Sequence, residues 1–176
     1  MTTNRAARVR QTLLEMFDQR GYIDIDATEE NRILAFEKDT NEQVCAFSVI
    51  IQKLNVAEIK TYITAMQAAG INHFILVYEG NTTSAVNTVV NNAPKLKMNI
   101  ELLEADYLQI NITKHKLVPE HILLEKKEAS EFKKKYSTKI PVLLRTDPVS
   151  RFYNFQKGSI VKIVRRDGDI AYRTVK

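Results

Sequence analysis

The stretch HFILVYEGNTTSAVNTVVNN, residues 73–92, decides the fold. Its first seven residues are almost wholly apolar, with no alternation, as in a strand covered on both faces. Gly80-Asn81-Thr82-Thr83 breaks the run with turn formers, and SAVNTVVNN then offers apolar residues at helical spacing. Working outward, QVCAFSVII (residues 43–51) is a second doubly apolar strand. Asn55 can cap a helix over residues 56–69, with Gly70 as its stop. After Pro94 comes a third strand, MNIELLE, residues 98–104. Strand, helix, strand, helix, strand predicts an α/β domain whose mixed sheet is at least partly parallel and is flanked by helices. Residues 33–36 are strand-like, and residues 6–20 form a helix with Val9, Leu13, Met16 and Phe17 on one stripe and Gly21 at its C-cap.

The texture changes at Asn111, where the domain boundary is placed, giving domains 1–110 and 111–176. The first has ten Lys and Arg against fourteen Asp and Glu, a net −4, and the second has sixteen against seven, a net +9. Together they give the overall +5. Such a split predicts two surfaces with different partners. The second domain is read as α+β. Residues 117–124 are extended, because Pro119 biases Val118 away from helix. Residues 125–136 form a short charged helix with Ala129, Phe132 and Tyr136 as its apolar face. Thr146 or Asp147 caps a turn of helix with Pro148 at its first position, and Val149, Phe152 and Tyr153 share its face. Lys157-Gly158 leads into the strand SIVKIVRR, and Asp167-Gly168 turns it into an antiparallel return, IAYRTV. Val161 and Ile163 stand opposite Ile160 and Val164, which leaves one face for the core and one for a partner.

Several classes of function lack support. No apolar run approaches the ~18 residues that cross a bilayer, and MTTNRAARVR has no apolar middle of a signal peptide. The single cysteine, Cys45, lies in an apolar run and reads as a core side chain in a reducing, intracellular compartment. His73, His115 and His121 have no Cys or acidic neighbour at ligand spacing, so no metal is expected. Neither G-x-x-x-x-G-K-[ST] nor G-x-G-x-x-G occurs, and the 80–84 turn reads first as a plain helix cap whose free N–H groups can also meet a phosphate. A nuclease would need an acid two residues before Lys53, where Ile51 stands, and Glu37 with Asp39 do not replace it. No G-x-S-x-G is present. Nothing assembles a catalytic constellation or a cofactor site.

The basic second domain supports two readings from composition alone. Lys133, Lys134, Lys135, Lys157, Arg165 and Arg166 can form a phosphate-contacting face of a free-standing nucleic-acid-binding factor. They can equally be a solvated helix face and strand-end charges.

INITKHKLVPEH, DPVSRFY, QKGSIVKIVRR and AYRTV follow one another in this order. They resemble the assembly domain of the fifth subunit common to the three nuclear RNA polymerases of eukaryotes. A small component of the archaeal RNA polymerase is similar to this part alone. RQTLLEMFDQRGY (residues 10–22) and GNTTSAV (residues 80–86) are similar to the opening helix and the strand-to-helix loop of the same family. The chain departs from the pattern at Thr83, where the family has proline, in its short closing hairpin, and between Gly21 and Gln43.

The resemblance implies a non-catalytic subunit without cofactor, metal or small-molecule substrate. Its N-terminal jaw domain lies beside downstream duplex DNA, with Asn81, Thr82, Thr83 and Ser84 nearest the DNA. Its C-terminal assembly domain docks on the largest subunit. Docking draws on His115, Leu117, Val118, Pro119 and His121, on Asp147, Pro148, Arg151 and Tyr153, and on Ile160, Lys162, Val164, Arg165 and Arg166. The implied location is the nucleus or, for a viral homologue, a cytoplasmic factory or virion.

Overall fold

The computed structural model describes residues 2–136 and 140–176, which fall into two compact units, Met1–Ile110 and Asn111–Lys176. The fold class is the mixed α/β arrangement expected.

The first unit is built on a five-stranded sheet in the order β1 (Tyr22–Asp26), β2 (Arg32–Glu37), β3 (Gln43–Ile51), β4 (His73–Tyr78), β5 (Asn99–Glu104). The first three strands pair antiparallel and the last three parallel. The parallel pairs need crossovers, supplied by α2 (Val56–Ala68) and α3 (Ser84–Asn92). Every residue of β4 is buried, as its unbroken apolar run requires. On one face Cys45, Phe74, Leu76 and Ile100 join a core with Ile59, Ile63, Met66 and Val86 of α2 and α3. The pleat sends Val44, Ala46, Ile75 and Val77 to the other face. There α1 (Thr2–Gln19) lies along β3, with Val9, Leu13, Met16 and Phe17 fully buried. Asn55 caps α2 by accepting from the Glu58 N–H at 2.9 Å, and Gly70 (φ +72°) ends it.

Strand β1 has no counterpart in the sequence-based expectation. It is an edge strand, its residues beyond Tyr22 are exposed, and a bulge between Ile23 and Asp26 places Asp24 at φ +50°. An edge strand with aspartate at alternate positions carries no strong periodic signal. Cys45 is buried, and burial pushes its thiol up to about 11, which leaves it protonated and inert.

Polar groups are also buried on the α1 face. Arg20 donates to both carboxylate oxygens of Glu101, at 2.9 and 2.8 Å, and His73 Nε2 donates to Glu101 Oε1 at 2.6 Å. Burial opposes ionisation of Glu101, but the Arg20 guanidinium and the His73 hydrogen bond outweigh it and hold the carboxyl well below the usual range, at about 2.

The second unit has a four-stranded sheet in the order β6 (Glu120–Leu123), β8 (Ile160–Val164), β9 (Ile170–Val175), β7 (Val142–Leu143). β8 pairs antiparallel with both β6 and β9, and β7 runs parallel to β9. Val161, Ile163 and Val175 form one core with Leu143 and Phe155. Ile160 forms another on the opposite face, with Leu124, with Ala129 and Phe132 of α4 (Lys126–Tyr136), and with Tyr172. Both faces of the central strand are thus used inside the unit. The expectation of one wholly free face is corrected: α4 closes the Ile160 end. The far end stays open, where Val164 and Lys162 are half-buried and Ile122 and Ile170 exposed.

The extended stretch is also shorter than expected. The Val118 N–H bonds to the His115 carbonyl in a turn, and the strand starts only at Glu120.

Candidate interaction surfaces

The 80–84 loop is shaped by its own hydrogen bonds. Gly80 takes φ +77°, and Thr83 caps α3 by accepting from the Val86 N–H at 3.3 Å. Thr82 Oγ1 donates to Asn87 Oδ1 at 3.1 Å. Of the four predicted DNA-proximal residues, Asn81, Thr83 and Ser84 are exposed and Thr82 is half-buried. The Thr83 hydroxyl is engaged in the cap. The first turn of α3 holds no acid, so its N–H groups present an uncancelled positive end.

In the second unit, α5 (Pro148–Phe152) is fixed by Asp147, not Thr146. The Asp147 carboxylate accepts from the Val149 N–H at 2.9 Å and the Ser150 N–H at 3.4 Å, and Pro148 fills the first turn. Five residues make a marginal helix. Val149 and Phe152 are buried beneath it, and Tyr153 stacks on Phe155 with ring centroids 5.3 Å apart. A short 3-10 turn, Ile112–Lys114, lies against α5 and is itself capped by Asn111, which accepts from the Thr113 N–H at 3.1 Å. Burial raises the Tyr153 hydroxyl above its ordinary range, partly offset by a hydrogen bond with Thr113.

Two substitutions here separate cap from packing. Asp147→Ala is expected to cost about 1 kcal/mol, as caps generally do. Ser150 is 1% exposed and its Oγ has no partner among the described residues. Ser150→Ala is therefore expected to be neutral or slightly stabilising. Urea titrations of both variants check this, and equal losses would contradict it.

The fold draws some of the predicted docking residues together. Pro119, His121, Asp147 and Arg165, from three separate segments, line one groove with Ile163, Ala171 and Arg173. His121 Nδ1 donates to the Pro119 carbonyl at 2.8 Å, which fixes its ring against the rim. The Leu117 N–H bonds back to His115 Nδ1 at 3.3 Å, leaving His115 exposed beside Leu117, which is 78% exposed. Val118, Pro148, Arg151 and Tyr153 are half-buried near the start of the groove-forming segments, and Arg166 is exposed in the turn after β8.

Others are kept apart. Register places Lys162 and Val164 on the opposite face of the sheet from His121 and Ile163. Ile160 is a correction: it has no accessible surface in the folded unit because α4 covers it, so it supports the surface from beneath. Sequence reasoning missed Arg173 and Ala171 in the groove and Ile122 and Ile170 on the open face. All four follow from strand pairing, which no local pattern specifies.

Among the described residues, no group of three or more His, Cys, Asp or Glu is placed to hold a metal ion. Glu37 and Asp39 sit near the Gln43 end of β3 and Lys53 beyond its Ile51 end. The intervening nine-residue strand separates them by about 30 Å. Among the described residues no helix is long and apolar enough to cross a membrane.

Comparison with known proteins supplies the context for these surfaces. The family model described as RNA polymerase Rpb5, C-terminal domain, matches residues 110–175. The chain is similar to the DNA-directed RNA polymerases I, II, and III subunit rpabc1 of Dictyostelium discoideum, with 34% identity over 179 residues that cover 92% of this chain and 90% of the relative. It is 30% identical to the subunit RPABC1 of Caenorhabditis elegans over 193 residues, covering 94% and 90%. A protein of Invertebrate iridescent virus 6, named as a putative DNA-directed RNA polymerase subunit 454R, is 29% identical over 182 residues, covering 94% and 97%. With near end-to-end likeness at this identity, the chain belongs to the Rpb5 family, the non-catalytic fifth subunit shared by eukaryotic-type DNA-directed RNA polymerases.

Proposed function

We propose that this chain is an assembly subunit of a multisubunit RNA polymerase: its second unit docks on the largest subunit and its first holds the 80–84 loop beside downstream duplex DNA. The observation that carries the docking half is the groove. Pro119, His121, Asp147 and Arg165 come from a turn, a strand start, a helix cap and a strand end, yet line one concavity. A cap, a proline and an intrachain hydrogen bond hold them before any partner arrives. Preorganisation of this kind reduces the ordering cost of binding.

The jaw half rests on the exposed Asn81 and Ser84 and on the α3 N-terminus. A loop with hydroxyl, amide and backbone donors can touch phosphate without lysine, even on a unit whose net charge is −4. The expected location follows the polymerase: the nucleus in a cell, a cytoplasmic factory or virion in a virus.

The test is recovery of the tagged full-length chain from its native source, with chemical cross-linking and identification of the cross-linked peptides. Cross-links from the 114–121 and 162–173 segments to the largest polymerase chain are expected. A chain that runs alone and binds duplex DNA tightly, with affinity falling steeply in salt, would instead be a free-standing nucleic-acid-binding factor.

A further inference from the structure

A second groove lies in the second unit, between α4 and the turn that leads into β8. Lys126, Lys133 and Lys134 come from the helix and Lys157 from the turn, with Ser130 and Ser159 between them. Its volume is about 600 Å³, within the range of sites that hold peptide-sized or drug-sized ligands. The lysines are exposed, and among the described residues no acid lines the groove.

That absence is a property of the helix, not of composition. α4 also carries Glu128 and Glu131. At 100° per residue, positions 126, 130, 133 and 134 fall within one arc of about 100°, while 128 lies opposite it and 131 lies outside it, beyond the Lys134 edge. Ala129 and Phe132 pack on the sheet and fix this rotation. Lys133 Nζ spans the groove to donate to the Gly158 carbonyl, and the left-handed Gly158 (φ +87°) lets the turn approach.

We propose that this groove binds an acidic segment of another polypeptide, with glutamates or aspartates paired to Lys126, Lys134 and Lys157. Three observations favour a peptide over nucleic acid. The charges line the walls of a concavity of only about 600 Å³, too small to admit a duplex, which is read instead by an element projecting into its groove. Among the described residues, no aromatic side chain and no arginine lines the groove, so nothing there stacks on bases or forks onto phosphate. The floor is formed by Leu124 and Ala129, which keep a little accessible surface above the fully covered Ile160, and this suits an acidic segment that also carries a small apolar residue. This site is distinct from the Pro119–Arg165 groove and does not depend on docking there.

The experiment uses the full-length chain and a fluorescently labelled peptide of glutamate and leucine, with a single-stranded and a duplex DNA oligonucleotide as competitors. Backbone amide shifts locate the site. Binding that weakens with salt, with shifts at residues 124–134 and 157–160, is expected. Lys126→Glu, Lys134→Glu and Lys157→Glu combined should weaken it by about tenfold or more. The matching glutamine variant should give a smaller loss in the same direction and an unchanged unfolding midpoint. Unchanged affinity in both variants, shifts elsewhere, or displacement of the peptide by either oligonucleotide at lower concentration overturns the proposal. The last outcome would assign the groove to nucleic acid.

Discussion

Replacing Glu101 with alanine is expected to destabilise the first unit by about 3–5 kcal/mol, the usual cost of stranding one partner of a buried ion pair. Arg20 and Glu101 have side chains only 4% and 7% exposed, joined by two hydrogen bonds. Removing the carboxylate leaves a guanidinium in the core and takes the acceptor from His73. Of a total stability of about 5–15 kcal/mol, such a loss is a large share, and at the low end of that range it leaves the unit partly unfolded at room temperature. Arg20→Met is expected to be comparably harmful, because Glu101 would remain buried with only His73. The double change Arg20→Met, Glu101→Leu is expected to recover much of the loss, since apolar replacement of a whole buried pair is often neutral. Hydrogen exchange of β4 and β5 amides measures this without requiring that both units unfold together. Near-equal stability of the single variants and wild type would show the pair to be solvated in solution.

The same pair sets an acid limit. The Glu101 carboxyl is depressed in the folded chain, so its contribution is complete above the ordinary carboxylate range. That contribution is lost as pH falls towards the folded value of about 2. The loss falls below about pH 4.5, the ordinary glutamate value. In Glu101→Gln the first unit should be less stable at neutral pH and its stability should vary less across this window. An unchanged acid profile in that variant would place the acid sensitivity in other carboxylates.

Why this network is hidden from sequence reading is instructive. Arg20 and Glu101 are 81 positions apart, and Glu101 sits in MNIELLE, where alternation alone describes it as a solvent-facing residue. Only the parallel pairing of β5 with β4, and the return of α1 over that face, brings the three groups together. By contrast, the β4–α3 connection is legible because its information is local: an apolar run, a positive-φ glycine, a capping threonine and a helical repeat within about twenty residues. The cap before Pro148 is likewise readable to within one residue, Thr146 or Asp147, and the hydrogen bonds to the Val149 and Ser150 N–H groups select Asp147. The docking groove lies between these cases. Its segments stand out as motifs, but which residues share a face depends on the register of β6, β8 and β9. That register puts Lys162 and Val164 across the sheet from His121, and helix α4 puts Ile160 out of reach.

The two sides of that sheet make opposite predictions for assembly, and the groove side is the one expected to matter. His121 and Arg165 line a preformed concavity, and interface energy concentrates in a few well-held anchors, arginine prominent among them. His121→Glu with Arg165→Glu is expected to reduce recovery of the largest polymerase chain by about thirtyfold or more, corresponding to about 2 kcal/mol or more at a central anchor. Both side chains lie outside the apolar cores, so the unfolding midpoint should barely move. The control pair is Ile122→Asp with Ile170→Asp on the open face, where the side chains are 38% and 52% exposed. If the groove is the seat of docking, this pair leaves recovery close to wild type. Undiminished recovery with the first pair would remove the groove from the docking surface. Loss with the second pair alone would move that surface to the open end of the sheet, where Lys162 and Val164 already lie.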